Sequence, residues 1–182
     1  LIEKIEITYS NGDISISDYY NIMALTIQHL GFLKLQFEDY NSAINHYNSS
    51  GEYLIKLDKE SPNTPWYFVS VRNIWHLAMK AYINIKLNNI SEAKQIVKEI
   101  ESLSDQFSYI NMFEFKRYIF YYLSQVYKEL NNDKDYKQYL DLAYQRYVHI
   151  YNIIENPEDK LSFKEKVVVN QMILKERESI GL

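Results

Sequence analysis

Two stretches of the chain, LNNISEAKQ at residues 87–95 and LNNDKDYKQ at residues 130–138, repeat one phrase 43 residues apart. Both stretches place Leu, Asn, Asn, Lys and Gln at the same positions. Asn readily adopts the left-handed backbone conformation that ends a helix, and it also caps the start of the next one. The repeat therefore predicts a reused turn, in which a long helix ends near the Leu and a second helix begins after the two Asn.

The segments around these turns have the periodicity of helices. After the first turn, Ala93, Ile96, Val97, Ile100 and Leu103 follow an i, i+3, i+4, i+7 pattern, which is typical of an amphipathic helix. Clusters of Ser, Asn, Asp and Pro divide the remaining chain into further segments of helical length. With only four Gly and three Pro, few places remain for the tight turns of a sheet protein. The sequence predicts an all-α protein.

A looser copy of the repeat lies near the start of the chain, where Leu30-Gly31 is followed by Ala43, Tyr47 and Ser50. This pattern resembles the tetratricopeptide repeat, in which small residues allow two helix backbones to cross closely. In the last copy Tyr136 takes the place of a small residue. We therefore expect that pair of helices to open slightly or to be aligned differently.

The resemblance implies one domain over residues 1–182, built as a right-handed solenoid of antiparallel helix pairs with longer than standard repeats. We predict a remnant of a preceding element at 1–16, pair one at 17–60, pair two at 65–104, pair three at 109–155 and a capping helix at 157–179. Residues 1–16 fit either a strand or the end of a helix. Because the sequence starts at Leu1, within what reads as the tail of an element, we expect it to be the C-terminal part of a longer protein.

Composition narrows the class of partner. The formal net charge of -4 lacks the positive excess that phosphate-backbone binding needs, so we expect no direct contact with nucleic acid. No stretch approaches about 20 uninterrupted apolar residues, and no basic-then-apolar leader is present, so we expect a cytoplasmic protein without a membrane role. The absence of Cys excludes disulfides, thiolate metal sites and thiol nucleophiles.

The sequence contains no pattern typical of an enzyme. None of the four His has a second His or a carboxylate at a metal-binding spacing, and the four Gly stand alone instead of forming a phosphate-binding loop. We predict no catalytic activity, no metal and no cofactor.

The last third carries a longer phrase that resembles the end of the tetratricopeptide region in large bacterial signalling proteins. Its residues are Leu140, Ala143, Tyr144, Ile154, Asn156, Pro157, Ser162, Phe163, Val167, Asn170 and Ile173. Lys160 departs from the phrase, which has Arg there. The resemblance implies a regulatory or oligomerisation role, with any catalytic or DNA-binding part outside these residues.

We therefore predict a protein–protein interaction or regulatory scaffold module of a bacterial signalling or transcription-regulating protein. The alternative is a peptide-binding sensor of the quorum-sensing type, because the peptide-pheromone receptors of Gram-positive bacteria have similar long repeats. No residue separates the two. The aromatic runs Phe113–Phe115 and Phe120–Tyr122 are apolar nearly all round, so we expect neighbouring repeats or a second copy of the chain to cover them. A homodimer through repeat surfaces is therefore also predicted.

A binding surface is expected on the concave face, which the first helix of each pair lines in this architecture. Its aromatic rings would give rigid apolar contact, and its Gln and Arg side chains would bond to backbone carbonyls of a peptide or partner helix. Many of these residues fit an inter-helix core equally well, Trp75 most and Arg72 least. The candidate site residues are Gln28, Phe32, Arg72, Trp75, Tyr82, Tyr118, Tyr121 and Gln125.

Overall fold

In a computed structural model the described residues are 1–60, 66–103 and 116–181, without the side chains of residues 66–72. Every regular element within these ranges is an α-helix and none is a strand, which confirms the all-α prediction. The helices are α1 Ile2–Ser10, α2 Ile16–Gln36, α3 Tyr40–Glu60, α4 Trp66–Lys86, α5 Ile90–Ser102, α6 Lys116–Glu129, α7 Asp133–Ile153, α8 Pro157–Lys166 and α9 Val168–Ser179. None of these described helices is long and apolar enough to cross a membrane.

The chain divides into two compact units, residues 1–109 and 110–182. In the first unit α1 packs on α2, α2 packs extensively on α3, α3 contacts α4, and α4 packs on α5. In the second unit α6 packs on α7, and α9 contacts α6, α7 and α8. The predicted start of pair three, at residue 109, and the aromatic run Phe113–Phe115 lie outside the described residues.

The LNN repeat forms the turn that the sequence predicts. Asn88 and Asn131 have positive φ values of 61° and 57°. At the first turn, the amides of Asn88 and Asn89 donate to the carbonyls of Ile85 and Asn84. The second turn has the same pair of bonds, which together make a Schellman motif. A local signal therefore sets both helix ends.

A third turn has the same geometry without the same residues. Glu38 occupies the left-handed position with φ 58°, and the amides of Glu38 and Asp39 donate to Leu35 and Lys34. The Asp39 carboxylate then caps α3 by accepting from the amide of Ser42 at 3.2 Å. The sequence predicts a helix break at Glu38-Asp39, but because Glu is unusual at a positive φ it does not indicate this turn geometry.

Exchanging residues between these turns should change stability in opposite directions. Glu38→Asn is expected to raise the free energy of unfolding by about 0.5 kcal/mol, because Asn tolerates the left-handed conformation better. Asn88→Glu should lower it by a similar amount. Urea unfolding followed by tryptophan fluorescence measures both, since Trp66 and Trp75 lie in the first unit with these turns. Changes of the same sign would contradict a shared turn geometry.

The close crossing predicted for the first pair is confirmed. A Cβ atom on Gly31 would lie 2.9 Å from Cε2 of Tyr47, so only glycine leaves room for this ring. Ala43, Tyr47 and Ser50 are fully buried, and the Ser50 hydroxyl donates to the carbonyl of Ala24 at 3.2 Å. The small residues therefore let α2 and α3 approach closely.

The third pair accommodates Tyr136 through α9. The ring is 4% exposed, and its hydroxyl donates to the Glu176 carboxylate at 2.6 Å. Lys128 donates to the same carboxylate at 2.6 Å. Burial opposes the charged form of Glu176, but these two donors outweigh it and lower its pKa. The last helix is thus tied to both helices of the pair.

The predicted capping helix is interrupted, so two helices stand where the sequence indicated one. Val167 is extended (φ -88°, ψ 104°) and separates α8 from α9. The last carbonyls of α8 lack helical partners. Side-chain amides take the place of the missing backbone donors. Asn170 donates to the Phe163 carbonyl at 2.7 Å, and Gln171 donates to the Glu165 carbonyl.

Candidate functional site

A groove of about 540 Å³ lies in the first unit between α3, α4 and α5. From α3 it is lined by Asn48, Gly51, Glu52 and Ile55, whose i, i+3, i+4, i+7 spacing places them on one face of that helix. Asp58 continues the same row. The second helices of pairs one and two thus form its walls.

The floor of the groove comes from α4. Asn73, His76, Leu77 and Lys80 repeat the same helical spacing and line it on that side. On α5, Glu99 lies one turn before Leu103, which directly follows the helix, and both line the groove. The surface therefore combines carboxamides, charges and apolar side chains.

His76 is the buried polar group of the groove. The residue is 5% exposed, and its Nδ1 has no hydrogen-bond partner among the described residues. Burial, and to a lesser extent the charge of Lys80, lowers the pKa of His76 to about 3. The imidazole is neutral at physiological pH and can offer one donor and one acceptor.

Gly51 allows the imidazole to lie against α3. A Cβ atom at this position would be 3.1 Å from both Cε1 and Nε2 of His76. The ring of Tyr47, also on α3, lies near the same imidazole, with ring centroids 5.9 Å apart. Gly in a helix interior lowers stability by about 1 kcal/mol relative to Ala. The close approach of the His76 ring explains why a residue without a side chain occupies position 51.

Three of the predicted site residues belong to the core. Trp75 is 4% exposed and its ring meets that of His29 edge-on, with centroids 5.7 Å apart. Tyr121 is 5% exposed and packs edge-on against Tyr122. Gln28 is fully buried, and neither its oxygen nor its nitrogen has a hydrogen-bond partner in the described ranges. These side chains do not form an accessible binding face.

Of the other predicted site residues, four are half-buried and one has a side chain outside the described residues. Phe32, Tyr82, Tyr118 and Gln125 are half-buried. Lys86 lies over the ring of Tyr82, Arg117 lies over that of Tyr118, and Gln125 donates to Ser124 at 3.4 Å. The side chain of Arg72 lies outside the described residues. None of the seven described candidates lines the groove.

Sequence reasoning missed the groove because it followed the first helix of each pair. One signal could have found it: Gly51 stands inside an otherwise regular helical segment, where glycine indicates a close approach by another side chain. Asn48 and Glu52 flank that position on the same face. The identity of the approaching residue, His76, could not be read from α3 alone.

The chemistry of the groove suits recognition. Within the described ranges, no group of three His, Asp or Glu residues could hold a metal ion. The groove instead offers a neutral imidazole, two carboxamides and four charged side chains beside apolar surface. Comparison with known proteins gives no match to a family model, a curated protein or a solved structure.

Proposed function

We propose that this chain is a tetratricopeptide-like interaction module that binds an extended segment of a partner protein in the groove between α3, α4 and α5. The observation that supports this proposal is the composition of the groove, which places the carboxamides of Asn48 and Asn73 beside the apolar side chains of Leu54 and Leu77. A carboxamide can donate to and accept from a peptide backbone at once. Apolar surface between such groups suits an extended chain.

The proposed architecture is a solenoid of helix pairs. Support comes from the three Schellman turns, at Glu38, Asn88 and Asn131, and from the close crossing at Gly31. Repeated pairs of this kind offer grooves between successive helices, which fits a scaffold role. A place in a bacterial regulatory protein rests on the resemblance of the terminal phrase.

A free signalling peptide is the second candidate occupant, and the size of the groove favours it. At about 540 Å³ the groove falls in the range of sites that enclose a small ligand. A free peptide of a few residues should bind as tightly as a longer one of the same core sequence. A segment of a partner protein should gain affinity from flanking residues outside the groove.

Blocking the groove should abolish binding without harming the fold. Peptides of about 12 residues selected from a random display library would be measured by calorimetry against the purified protein. Asn48→Trp places a large ring at an exposed position of the lining, so we expect affinity to fall at least about tenfold because the occupant loses space.

Asn45→Trp is the matched control. Asn45 is also an exposed Asn on α3, three residues earlier, but it does not line the groove. This variant should bind the selected peptides as the parent does. Failure to select any binding peptide, or equal affinity for both tryptophan variants, would overturn the proposal.

A further inference from the structure

The lining of the groove carries more acidic than basic side chains. Glu52 and Asp58 on α3 and Glu99 on α5 bring three carboxylates to the lining, whereas Lys80 is its single basic side chain among the described residues. The three acidic residues are exposed, and none forms an ion pair with any residue in the described ranges. An occupant with positive charge would therefore be favoured electrostatically.

Helix geometry separates these charges along the groove. Gly51 faces His76, and α3 and α4 run in opposite directions because only five residues link them. Lys80 follows His76 by about 6 Å of helix, whereas Asp58 lies roughly 10 Å beyond Gly51 toward the other end. The groove thus has an acidic stretch and one basic end, and it is long enough for four or five extended residues, at about 3.3 Å each.

His76 supplies an observation independent of the carboxylates. This side chain is 95% buried, it lines the groove, and its Nδ1 has no partner in the described part of the chain. A buried polar atom without a partner costs free energy. The lining of the groove therefore includes an unpartnered buried polar group as well as a favourable electrostatic field.

Building on the proposed function, we infer that the segment bound in the groove carries an arginine or lysine side chain next to an apolar residue. The cationic group pairs with Glu52 and Glu99, which reach the groove from opposite walls. The adjacent apolar side chain lies on Leu77 and Leu54 of the lining. A planar guanidinium can meet a carboxylate through two parallel hydrogen bonds, which favours arginine over lysine.

Three capped pentapeptides test this inference: acetyl-Ala-Leu-Arg-Leu-Ala-amide and the same peptide with Gln or Glu in place of Arg. Binding is followed through the backbone amide resonance of Gly51, one of only four glycine signals of the protein. We expect the Arg peptide to bind about tenfold more tightly than the Gln peptide, and the Glu peptide to bind more weakly still. Raising the salt from about 50 mM to about 0.5 M should reduce this preference.

Two double variants test whether the preference for the Arg peptide depends on the carboxylates of the groove. In Glu52→Gln/Glu99→Gln the advantage of Arg over Gln should shrink to about twofold or less, because both changes remove charge from the lining. Glu155→Gln/Glu178→Gln removes the same charge from exposed positions in the second unit and should leave the advantage unchanged.

The outcomes separate the inference from the proposed function. If the Arg and Gln peptides shift Gly51 with equal affinity, the charge inference is overturned while the groove remains a binding site. If none of the three peptides shifts the amide resonance of Gly51, both the charge inference and the proposed binding of short segments in the groove are overturned. If the distant double variant lowers the Arg preference as much as the groove variant, the preference comes from net charge and the inference fails.

Discussion

Replacing Asn170 by Leu is expected to lower the free energy of unfolding of the second unit by about 3 kcal/mol. Asn170 is fully buried; its Oδ1 accepts from Nε of Arg117 at 3.0 Å and its Nδ2 donates to the Phe163 carbonyl at 2.7 Å. The change removes one acceptor, the partner of Nε, from an Arg117 side chain that is itself only 8% exposed. It also removes the donor that satisfies a carbonyl at the end of α8.

The measurement is urea unfolding followed by backbone amide resonances of the second unit, because optical probes do not separate the units: both Trp residues lie in the first unit and Tyr residues lie in both. Gln171→Leu is the matched control. It removes the neighbouring amide, which also bonds a carbonyl of α8 but is exposed, so the loss should stay below about 1 kcal/mol. Equal losses for the two variants would show that the buried contact of Asn170 with Arg117 adds no stability.

Lowering the pH from about 7.5 to about 5 should reduce the free energy of unfolding of the first unit by about 2 kcal/mol. The pKa of His76 is about 3 in the folded protein, because of burial and then Lys80, against 6.5 for an ordinary His. At a pH between these two pKa values, His76 is protonated in the unfolded chain and neutral in the folded protein. The stabilisation from the neutral ring is therefore complete above pH 6.5 and is lost as the pH falls toward 3.

Unfolding monitored by tryptophan fluorescence at several pH values would measure this dependence. His76→Phe keeps a buried aromatic ring that cannot titrate, so its stability should vary less across the same range by about 2 kcal/mol. His149→Phe changes an exposed His in the second unit and should retain the full dependence of the parent. If His76→Phe and the parent lose stability equally, His76 is not the group responsible.

Local signals in the sequence were sufficient for the helices and most of their ends. The turns at Asn88 and Asn131 and the cap at Asn156, whose side chain accepts from Glu158 and Asp159, depend on residues within a few positions of each other. The break at Val167 had no such signal. Valine does not mark a helix end, and the amides that stabilise the break act on carbonyls of the preceding helix.

The sequence by itself thus determined that the chain is all-α, where its turns fall and that Gly31 permits a close helix crossing. Only the tertiary structure decided which helix faces are buried. α2 and α4 are apolar on more than one side, so periodicity alone could not tell that Gln28 faces inward, although it favoured a core position for Trp75. Adjacent residues on a helix point about 100° apart, which turns Trp75 into the core and its neighbour His76 toward the groove. The candidate site depends on that rotation, which is fixed by packing against α3 and α5.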